Sequence, residues 1–179
     1  MRSKIFLAIL LLTPLLVLLV STLSFQSGYS PKYTKNNGVF FTEYFDVTKL
    51  KLINDLENLK FEDGKWLFAT YASKGAELED ALYLMRQLNV ALNRDINKLK
   101  RVVFSLDIET LEDKLIDYPR TQVILDAERK LFEKLLETSN ENFFLEQKIF
   151  IIDPYGRAVM FFPVSMDPKL ILKDLKVLI

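Results

Sequence analysis

The architecture of this chain follows from three segments in close succession: WLFATY (66–71), ELEDALYLMRQLNVALN (77–93) and VVFSL (102–106). The first and third are short runs of apolar and aromatic residues, which are typical of buried strands. The second carries apolar residues about every 3.6 positions and therefore predicts an amphipathic helix. A strand, a helix and a second strand in this order predict a parallel strand pair joined by a right-handed crossover.

The segments downstream add helices and a hairpin to this unit. KIFII (148–152) and RAVMFF (157–162) flank Asp153-Pro154-Tyr155-Gly156, whose residue types favour a tight turn between two strands. Asp167 followed by Pro168 predicts the N-cap and first turn of a closing helix. That helix is expected to bury Leu170, Ile171, Leu175 and Leu178. Between these units we expect a short helix at Leu111–Asp117, a strand at Gln122–Leu125 and an amphipathic helix at Ala127–Thr138.

The upstream part of the folded region is less regular. Val39-Phe40-Phe41 begins it, and Asp63-Gly64 is typical of a turn. Lys49–Leu59 has apolar residues at spacings of three and is interpreted as a short amphipathic segment. The complete order is strand–helix–strand, then helix, hairpin and helix, which is the thioredoxin-like arrangement. The predicted fold class is therefore α/β, a central mixed sheet with flanking helices.

The N-terminal part of the chain predicts a membrane anchor. Ile5–Leu23 is one apolar run that would span roughly 28 Å as a helix, close to the thickness of a bilayer's hydrocarbon core. Arg2 and Lys4 precede it, and positive flanks stay in the cytoplasm. The alternative is a signal peptide cleaved near Thr22-Leu23-Ser24, although the run is longer than a typical signal-peptide core. The predicted division is stub and transmembrane anchor (1–25), tether (26–38) and thioredoxin-like domain (39–179).

The composition excludes several kinds of chemistry. The chain has no cysteine and no histidine, which removes thiolate nucleophiles, disulfides and imidazole catalysis. Most zinc, copper, haem and iron–sulfur sites are excluded for the same reason. All 24 acidic residues follow the apolar run, whereas two of the 24 basic residues precede it, so the domain is slightly acidic. This balance argues against a nucleic-acid partner, which would require a basic patch.

Several sequences in the domain resemble the SCO/SenC group of membrane-anchored cytochrome oxidase assembly proteins. They are similar also to a divergent bacterial family of small anchored proteins associated with the oxidase. The similarity lies in the order and spacing of seven segments: Asn36–Gly38, Ala81–Gln87, Val102–Asp107, Ile151–Gly156, Phe162-Pro163, Asp167-Pro168 and Leu172–Leu175. The resemblance implies a thioredoxin-like domain in the periplasm, held at the bacterial inner membrane. It also implies a membrane-protein partner such as a respiratory oxidase or its assembly factors.

The chain departs from that family at the residues that carry its chemistry. SCO-type proteins place two cysteines, four residues apart, between the first strand and the first helix, at positions that match Lys74 and Leu78 here. They place a copper-binding histidine just before the hairpin strand, near Leu145 here. Because all three ligands are missing, the family's copper and thiol chemistry is not carried over, and we expect no cofactor.

Three other groups of residues are candidate sites, but their types and positions favour structural roles. The acidic residues Asp107, Glu109, Glu112 and Asp113 could bind a hard cation, but charge clusters usually form a solvated surface. The thioethers of Met85, Met160 and Met166 could bind Cu(I), but methionines on apolar stripes usually fill the core. Glu77, Glu79 and Asp80 could serve acid–base catalysis, but acids are favoured at a helix start for stability alone.

The aromatic residues after the anchor allow two interpretations. Tyr29, Tyr33 and the segment Phe40–Phe45 could lie at the membrane interface or form a partner surface. Packing of Phe40–Phe45 across a sheet edge is an equal alternative. Together these observations predict a non-catalytic, redox-inactive, membrane-anchored protein that assists a respiratory complex through protein contacts. The alternatives are an envelope enzyme that uses carboxylates near Glu77 and a copper-handling protein that uses methionines alone.

Overall fold

The computed structural model describes residues 2–26, 36–54, 57–58, 61, 63–72, 78–107, 111–139 and 142–179. The chain divides into two compact units, Met1–Lys35 and Asn36–Ile179. The predicted tether (26–38) falls largely outside the described residues. Lys74, Glu77 and Glu109 also lie outside them.

The first unit contains one helix, α1 (Arg2–Gln26), which includes Pro14. The hydroxyl of Thr13 donates to the carbonyl oxygen of Ile9 at 2.7 Å, and that of Thr22 donates to Leu18 at 2.6 Å. Apolar side chains along the helix are exposed, including Leu11 and Leu18. Among the described residues, no helix combines the length and apolar character needed to cross a membrane. The spanning role of this segment therefore stays a prediction.

The second unit is built on a mixed sheet of eight described strands, in the spatial order β1-β8-β7-β4-β5-β6-β2-β3. The strands are β1 (Val39–Asp46), β2 (Ile53–Asn54), β3 (Glu57–Asn58), β4 (Trp66–Tyr71), β5 (Leu99–Ser105), β6 (Thr121–Leu125), β7 (Lys148–Ile152) and β8 (Arg157–Pro163). The central strands β4, β5 and β6 are parallel, whereas β7 is antiparallel to β4 and to β8. Strand β1 is antiparallel to β8.

Helices cover both faces of this sheet. They are α2 (Leu78–Ala91), α3 (Glu112–Leu115), α4 (Lys130–Thr138) and α5 (Pro168–Leu178), with short 3-10 helices at Val47–Leu50 and Asn93–Lys98. Side chains of a strand alternate between the faces, and β4 shows this directly. Its Leu67, Ala69 and Tyr71 join the cluster that includes α4, whereas Phe68 joins the cluster beneath α2 and α5.

The structure confirms the parallel unit, the hairpin and the closing helix. Gly156 in the hairpin turn has a φ of 86°, and its amide donates to the carbonyl oxygen of Asp153 at 2.9 Å. A Cβ at this position would lie 2.5 Å from Cγ2 of Thr48, so glycine is required for space as well as for conformation. At the closing helix, the Asp167 side chain accepts from the amide of Lys169 at 2.9 Å, as the N-cap prediction requires.

Two expectations about local structure were wrong. Lys49–Leu59 is not a single amphipathic segment, because a 3-10 helix ends at Leu50 and the β2–β3 hairpin follows. Its apolar spacing of three fits one helical turn, but Ile53 pairs with Leu125 at the sheet edge. Leu170 of α5 was expected to be buried and is 40% exposed, whereas Ile171 and Leu175 are fully buried.

The beginning and end of the second unit are joined by a buried carboxylate. Asp174 of α5 is 4% exposed and accepts hydrogen bonds from the backbone amides of Asn37 at 2.6 Å and Gly38 at 2.9 Å. The side-chain amide of Asn37 donates to the same carboxylate at 2.8 Å. These three bonds fix the entry into β1 against the last helix.

Candidate functional site

The candidate site lies at one end of the sheet, where β4 and β5 finish and β7 begins. Two of the three positions that match the family's ligands can be placed there. Leu78 opens α2, is 4% exposed and packs with Leu82, Val103 and Leu111. Leu145 precedes β7 and is 80% exposed. Lys74, the third position, is outside the described residues.

Leu145 is held by an ordered turn. The backbone amide of Leu145 donates to the carbonyl oxygen of Asn142 at 3.2 Å, and the amide of Phe144 donates to the Asn142 side chain at 3.2 Å. Phe143 in the same turn is 1% exposed. A fully buried ring therefore anchors a segment whose Leu145 side chain lies in solvent.

A buried polar network connects this turn to the end of β4. The Gln147 side-chain amide donates to the Thr70 hydroxyl and, at 3.0 Å, to the Tyr71 carbonyl oxygen. The Thr70 hydroxyl in turn donates to the carbonyl oxygen of Lys148 at 2.8 Å. Thr70 is fully buried and Gln147 is 6% exposed, so each bond is made away from water. The network fixes the turn to β4 through uncharged groups.

Lys148 is a buried cation next to this network. Its side chain lies above the rings of Phe143 and Phe161, with Nζ 5.5 Å and 5.8 Å from their centroids. Nζ donates to the carbonyl oxygens of Asn142 and Phe143, each at 3.3 Å. The ammonium group thus stabilises the first residues of the turn that presents Leu145.

Tyr71 and Asp126 form a second buried polar contact below the turn. The Tyr71 hydroxyl donates to the Asp126 carboxylate at 2.9 Å, and both residues are at most 2% exposed. The same carboxylate accepts from the amides of Leu131 at 3.3 Å and Phe132 at 3.0 Å, at the start of α4. Burial, and then the neighbouring negative charge of Asp126, raise the pKa of the Tyr71 hydroxyl.

We expect this raised pKa to make the protein sensitive to alkaline conditions. A hydroxyl whose pKa is higher in the folded state contributes stability that is fully present below its unfolded pKa of 10.0. That contribution is lost as the pH rises through the folded pKa, at up to about 1.4 kcal/mol per pH unit for one proton. Urea unfolding at increasing pH above this value should show a steeper loss of stability in the wild type than in Tyr71→Phe. Equal slopes would contradict the prediction.

The carboxylates considered from the sequence are surface groups where the structure describes them. Glu79 and Asp80 are exposed in the first turn of α2, and Asp107 and Asp113 are also exposed. Within the described ranges, no group of three or more acidic residues is placed to hold a metal ion. The preference for a solvated acidic surface thus agrees with the exposure of these four side chains.

The methionines and most aromatics lie in the apolar clusters. Met85 of α2 and Met160 of β8 are fully buried in the cluster that also includes α5, and Met166 packs against the same cluster. Phe41 and Phe45 are buried on the other face of the sheet, with ring centroids 5.4 Å apart, whereas Tyr44 is exposed. The positions of Phe41 and Phe45 therefore agree with packing across the sheet, the second of the two interpretations of this aromatic segment.

The arrangement at this end of the sheet suits recognition of another surface. This end of the sheet carries two exposed leucines, Leu145 before β7 and Leu106 after β5. A buried, uncharged hydrogen-bond network makes the turn that holds Leu145 rigid. Sequence analysis missed Gln147, Thr70 and Asp126. Each is a polar residue at or next to the end of an apolar strand, and this position in the sequence could have indicated a buried polar contact.

Comparisons with known proteins agree with this architecture. A family model described as "Transmembrane-like, thioredoxin-like, C-terminal domain" matches residues 66–179. No curated protein is significantly similar to the chain in sequence. The resemblance to Sco proteins is confirmed among solved structures, which include BsSco, "a member of the Sco family of cytochrome c oxidase assembly proteins".

BsSco is 16% identical, with a TM-score of 0.51, over 82% of this chain and 96% of that chain. Copper-bound ScoI of Bradyrhizobium japonicum is 16% identical, with a TM-score of 0.50, over 79% of this chain and 99% of that chain. A PrxQ mutant of Xylella fastidiosa is 14% identical, with a TM-score of 0.50, over 81% and 98% of the two chains. Identities this low show a shared fold alone.

Proposed function

The chain belongs to the transmembrane-like, thioredoxin-like C-terminal domain family, and we propose that it is a membrane-anchored, redox-inactive member that assists a respiratory complex by protein contact. The complex that fits best is cytochrome oxidase, in its assembly or its stability. The fold shared with Sco assembly proteins supports this choice. Because a shared fold does not by itself fix a function, identification of the bound partner is the decisive measurement.

The proposed lack of redox activity rests on residue types. The chain contains no thiol and no imidazole, and two of the family's ligand positions hold the aliphatic side chains of Leu78 and Leu145. Neither side chain can bind copper or exchange a disulfide. What the domain offers at this end is a shaped apolar surface.

The proposed anchor is α1. The proposal rests on the sequence of its apolar run, Ile5–Leu23, whose length as a helix would be close to the thickness of a bilayer's hydrocarbon core. Its exposed leucine, isoleucine and valine side chains fit a lipid environment. The basic residues Arg2 and Lys4 favour a cytoplasmic N-terminus and a periplasmic domain at the bacterial inner membrane.

The observation that carries the proposal is the exposure of Leu145 on a fixed turn. A large apolar side chain that is 80% exposed costs free energy in water, and the buried Phe143 and Gln147 prevent the turn from folding it inward. An apolar side chain that is already held in place loses little conformational entropy when a partner covers it, and its burial then adds hydrophobic free energy to the contact. Leu145 is therefore the residue we expect at the centre of the partner contact.

We expect Leu145→Asp to abolish co-purification of oxidase subunits or their assembly factors with the full chain from native membranes. A carboxylate at the centre of an apolar contact would be desolvated without a partner, which should weaken the complex at least tenfold. The matched control is Ile116→Asp, because Ile116 is 75% exposed in the turn that follows α3.

Mass spectrometry of the proteins recovered with the wild type and both variants measures this effect. Recovery of oxidase components with the wild type and Ile116→Asp, but not with Leu145→Asp, would support both the partner and the surface. Equal recovery with Leu145→Asp would reject this surface. Failure to recover respiratory proteins with the wild type would reject the proposed function.

A further inference from the structure

A second feature of the domain concerns Arg101 in β5, near the opposite end of the parallel strands. Arg101 is 8% exposed although it is charged, and its Nη2 donates to the carbonyl oxygen of Pro119 at 2.5 Å. Its Nη1 is buried and makes no hydrogen bond. The hydroxyl of Thr121, which pairs with Arg101 across β5 and β6, is also buried without a partner. Two neighbouring buried groups therefore have unused hydrogen-bonding capacity.

The charges that act on Arg101 are those of two other arginines. Burial, followed by the charges of Arg86 and Arg120, lowers the pKa of Arg101. Arg86 extends from α2 and is exposed, and its Nη1 donates to the backbone carbonyl oxygen of Asp117 at 3.4 Å. Arg120 directly precedes β6, is exposed and has a φ of 69°. Within the described part of the chain, none of the three forms an ion pair.

A cluster of three arginines around a buried guanidinium lowers the stability of the folded domain when no ligand is bound. Burying a charge is unfavourable unless it is paired, and like charges nearby add repulsion. The buried, unpaired Nη1 also loses the free energy of a hydrogen bond to water. The chain contains 24 acidic residues that could have neutralised this position, yet the cluster faces backbone carbonyl groups. The guanidinium groups of Arg86 and Arg101 donate to carbonyl oxygens of one short segment, those of Asp117 and Pro119, and Arg120 follows that segment directly. A negatively charged ligand bound beside this segment would therefore be attracted by three positive charges.

We propose that Arg86, Arg101 and Arg120 form a binding site for a phosphate group. Each guanidinium presents several N–H donors in a planar fork that matches phosphate oxygens, and a phosphate dianion balances three positive charges better than a single carboxylate. Thr121 supplies a hydroxyl to the same region. The phosphate is either free in solution or part of a lipid headgroup, and the two sources share this chemistry.

The site is independent of the proposed partner contact. Arg101 and Thr121 lie toward the beginnings of β5 and β6, whereas Leu106 follows the end of β5 and Leu145 precedes the antiparallel β7. Because β4, β5 and β6 are parallel, these positions belong to opposite ends of the sheet. Loss of phosphate binding and loss of co-purified oxidase components are therefore separate results.

Titration of the full chain in mild detergent with inorganic phosphate, at constant ionic strength in chloride, tests the site. Isothermal calorimetry should show one phosphate per chain for the wild type. Arg86→Gln and Arg120→Gln should each weaken binding about tenfold, which corresponds to ~1.4 kcal/mol. The matched control is Arg94→Gln, because Arg94 is exposed in the neighbouring 3-10 helix and carries the same charge. Acetate should bind at least tenfold more weakly than phosphate.

The exposed variants keep the test valid even if substitutions of Arg101 unfold the domain. A second arm places the full chain in phosphatidylcholine nanodiscs with and without phosphatidic acid. Protection of Arg86 and Arg120 from a guanidinium-modifying reagent only when phosphatidic acid is present would assign the phosphate to a lipid. Protection by inorganic phosphate alone would assign it to a free ligand. Absence of both effects, or equal binding by the wild type and Arg86→Gln, would overturn the proposal.

Discussion

Replacing Asp126 with alanine is expected to lower the free energy of unfolding by about 3–5 kcal/mol, because each buried donor left without an acceptor costs about 1–3 kcal/mol. The carboxylate is 1% exposed and accepts three hydrogen bonds, from the hydroxyl of Tyr71 and the amides of Leu131 and Phe132. Alanine would leave these three donors buried without an acceptor. It would also remove the group that satisfies the first amides of α4.

The measurement is urea unfolding of the full chain in mild detergent, followed by the fluorescence of Trp66, the single tryptophan. Asp167→Ala is the control, because Asp167 also caps a helix but is exposed and accepts one bond, from the amide of Lys169. It should cost much less than Asp126→Ala. Asp126→Asn should fall between the two, since it keeps one acceptor oxygen. A cost for Asp126→Ala no larger than that for Asp167→Ala would contradict the role assigned to the buried carboxylate.

The second large effect is expected for Phe143→Ala, which should destabilise the domain by about 3–5 kcal/mol. Phe143 lies in the turn before β7 but is 1% exposed. Its ring centroid lies 5.2–6.2 Å from those of Phe41, Phe144, Phe150 and Phe161. Alanine would leave a cavity among these rings and would remove the surface on which Lys148 rests.

Phe143→Leu separates the loss of volume from the loss of the ring. Leucine restores most of the apolar volume, so its cost in the same unfolding measurement should be a fraction of that of alanine. If the two substitutions cost the same, the aromatic contacts and not the packed volume would carry the stability. A negligible cost for Phe143→Ala would show that the turn presenting Leu145 is not anchored by this ring.

The elements that sequence analysis predicted correctly are those whose pattern is local. WLFATY, the helix that begins at Leu78 and the hairpin around Gly156 each carry their signal within about ten residues, through apolar period or turn chemistry. The N-cap at Asp167 is equally local. The positions that match the family's ligands, Lys74, Leu78 and Leu145, were assigned by their order along the chain and stay a prediction.

The features that were missed depend on contacts between distant segments. Leu50 and Ile53 have helical spacing, but pairing of Ile53 with Leu125 makes the latter part of the segment a strand. Asp126 and Gln147 became recognisable only when the fold brought them to Tyr71. Arg101 did give a sequence signal, as a charge directly before the apolar run VVF, because charged residues rarely lie in buried strands without a ligand or partner.

The hydrogen bonds of Asp174 also have a consequence for how the protein is made. Asn37 and Asp174 are 137 residues apart, and β1 finds its only described strand partner in β8. During synthesis, β1 is the first of the described strands to be made, but its partner β8 is the last. The edge of β1 therefore stays unpaired until nearly the whole chain has been made. Long-range closure of this kind slows folding and leaves an unpaired strand open to aggregation. Newly made chains of this protein should therefore depend on a chaperone until the carboxylate of Asp174 has bound the amides that lead into β1.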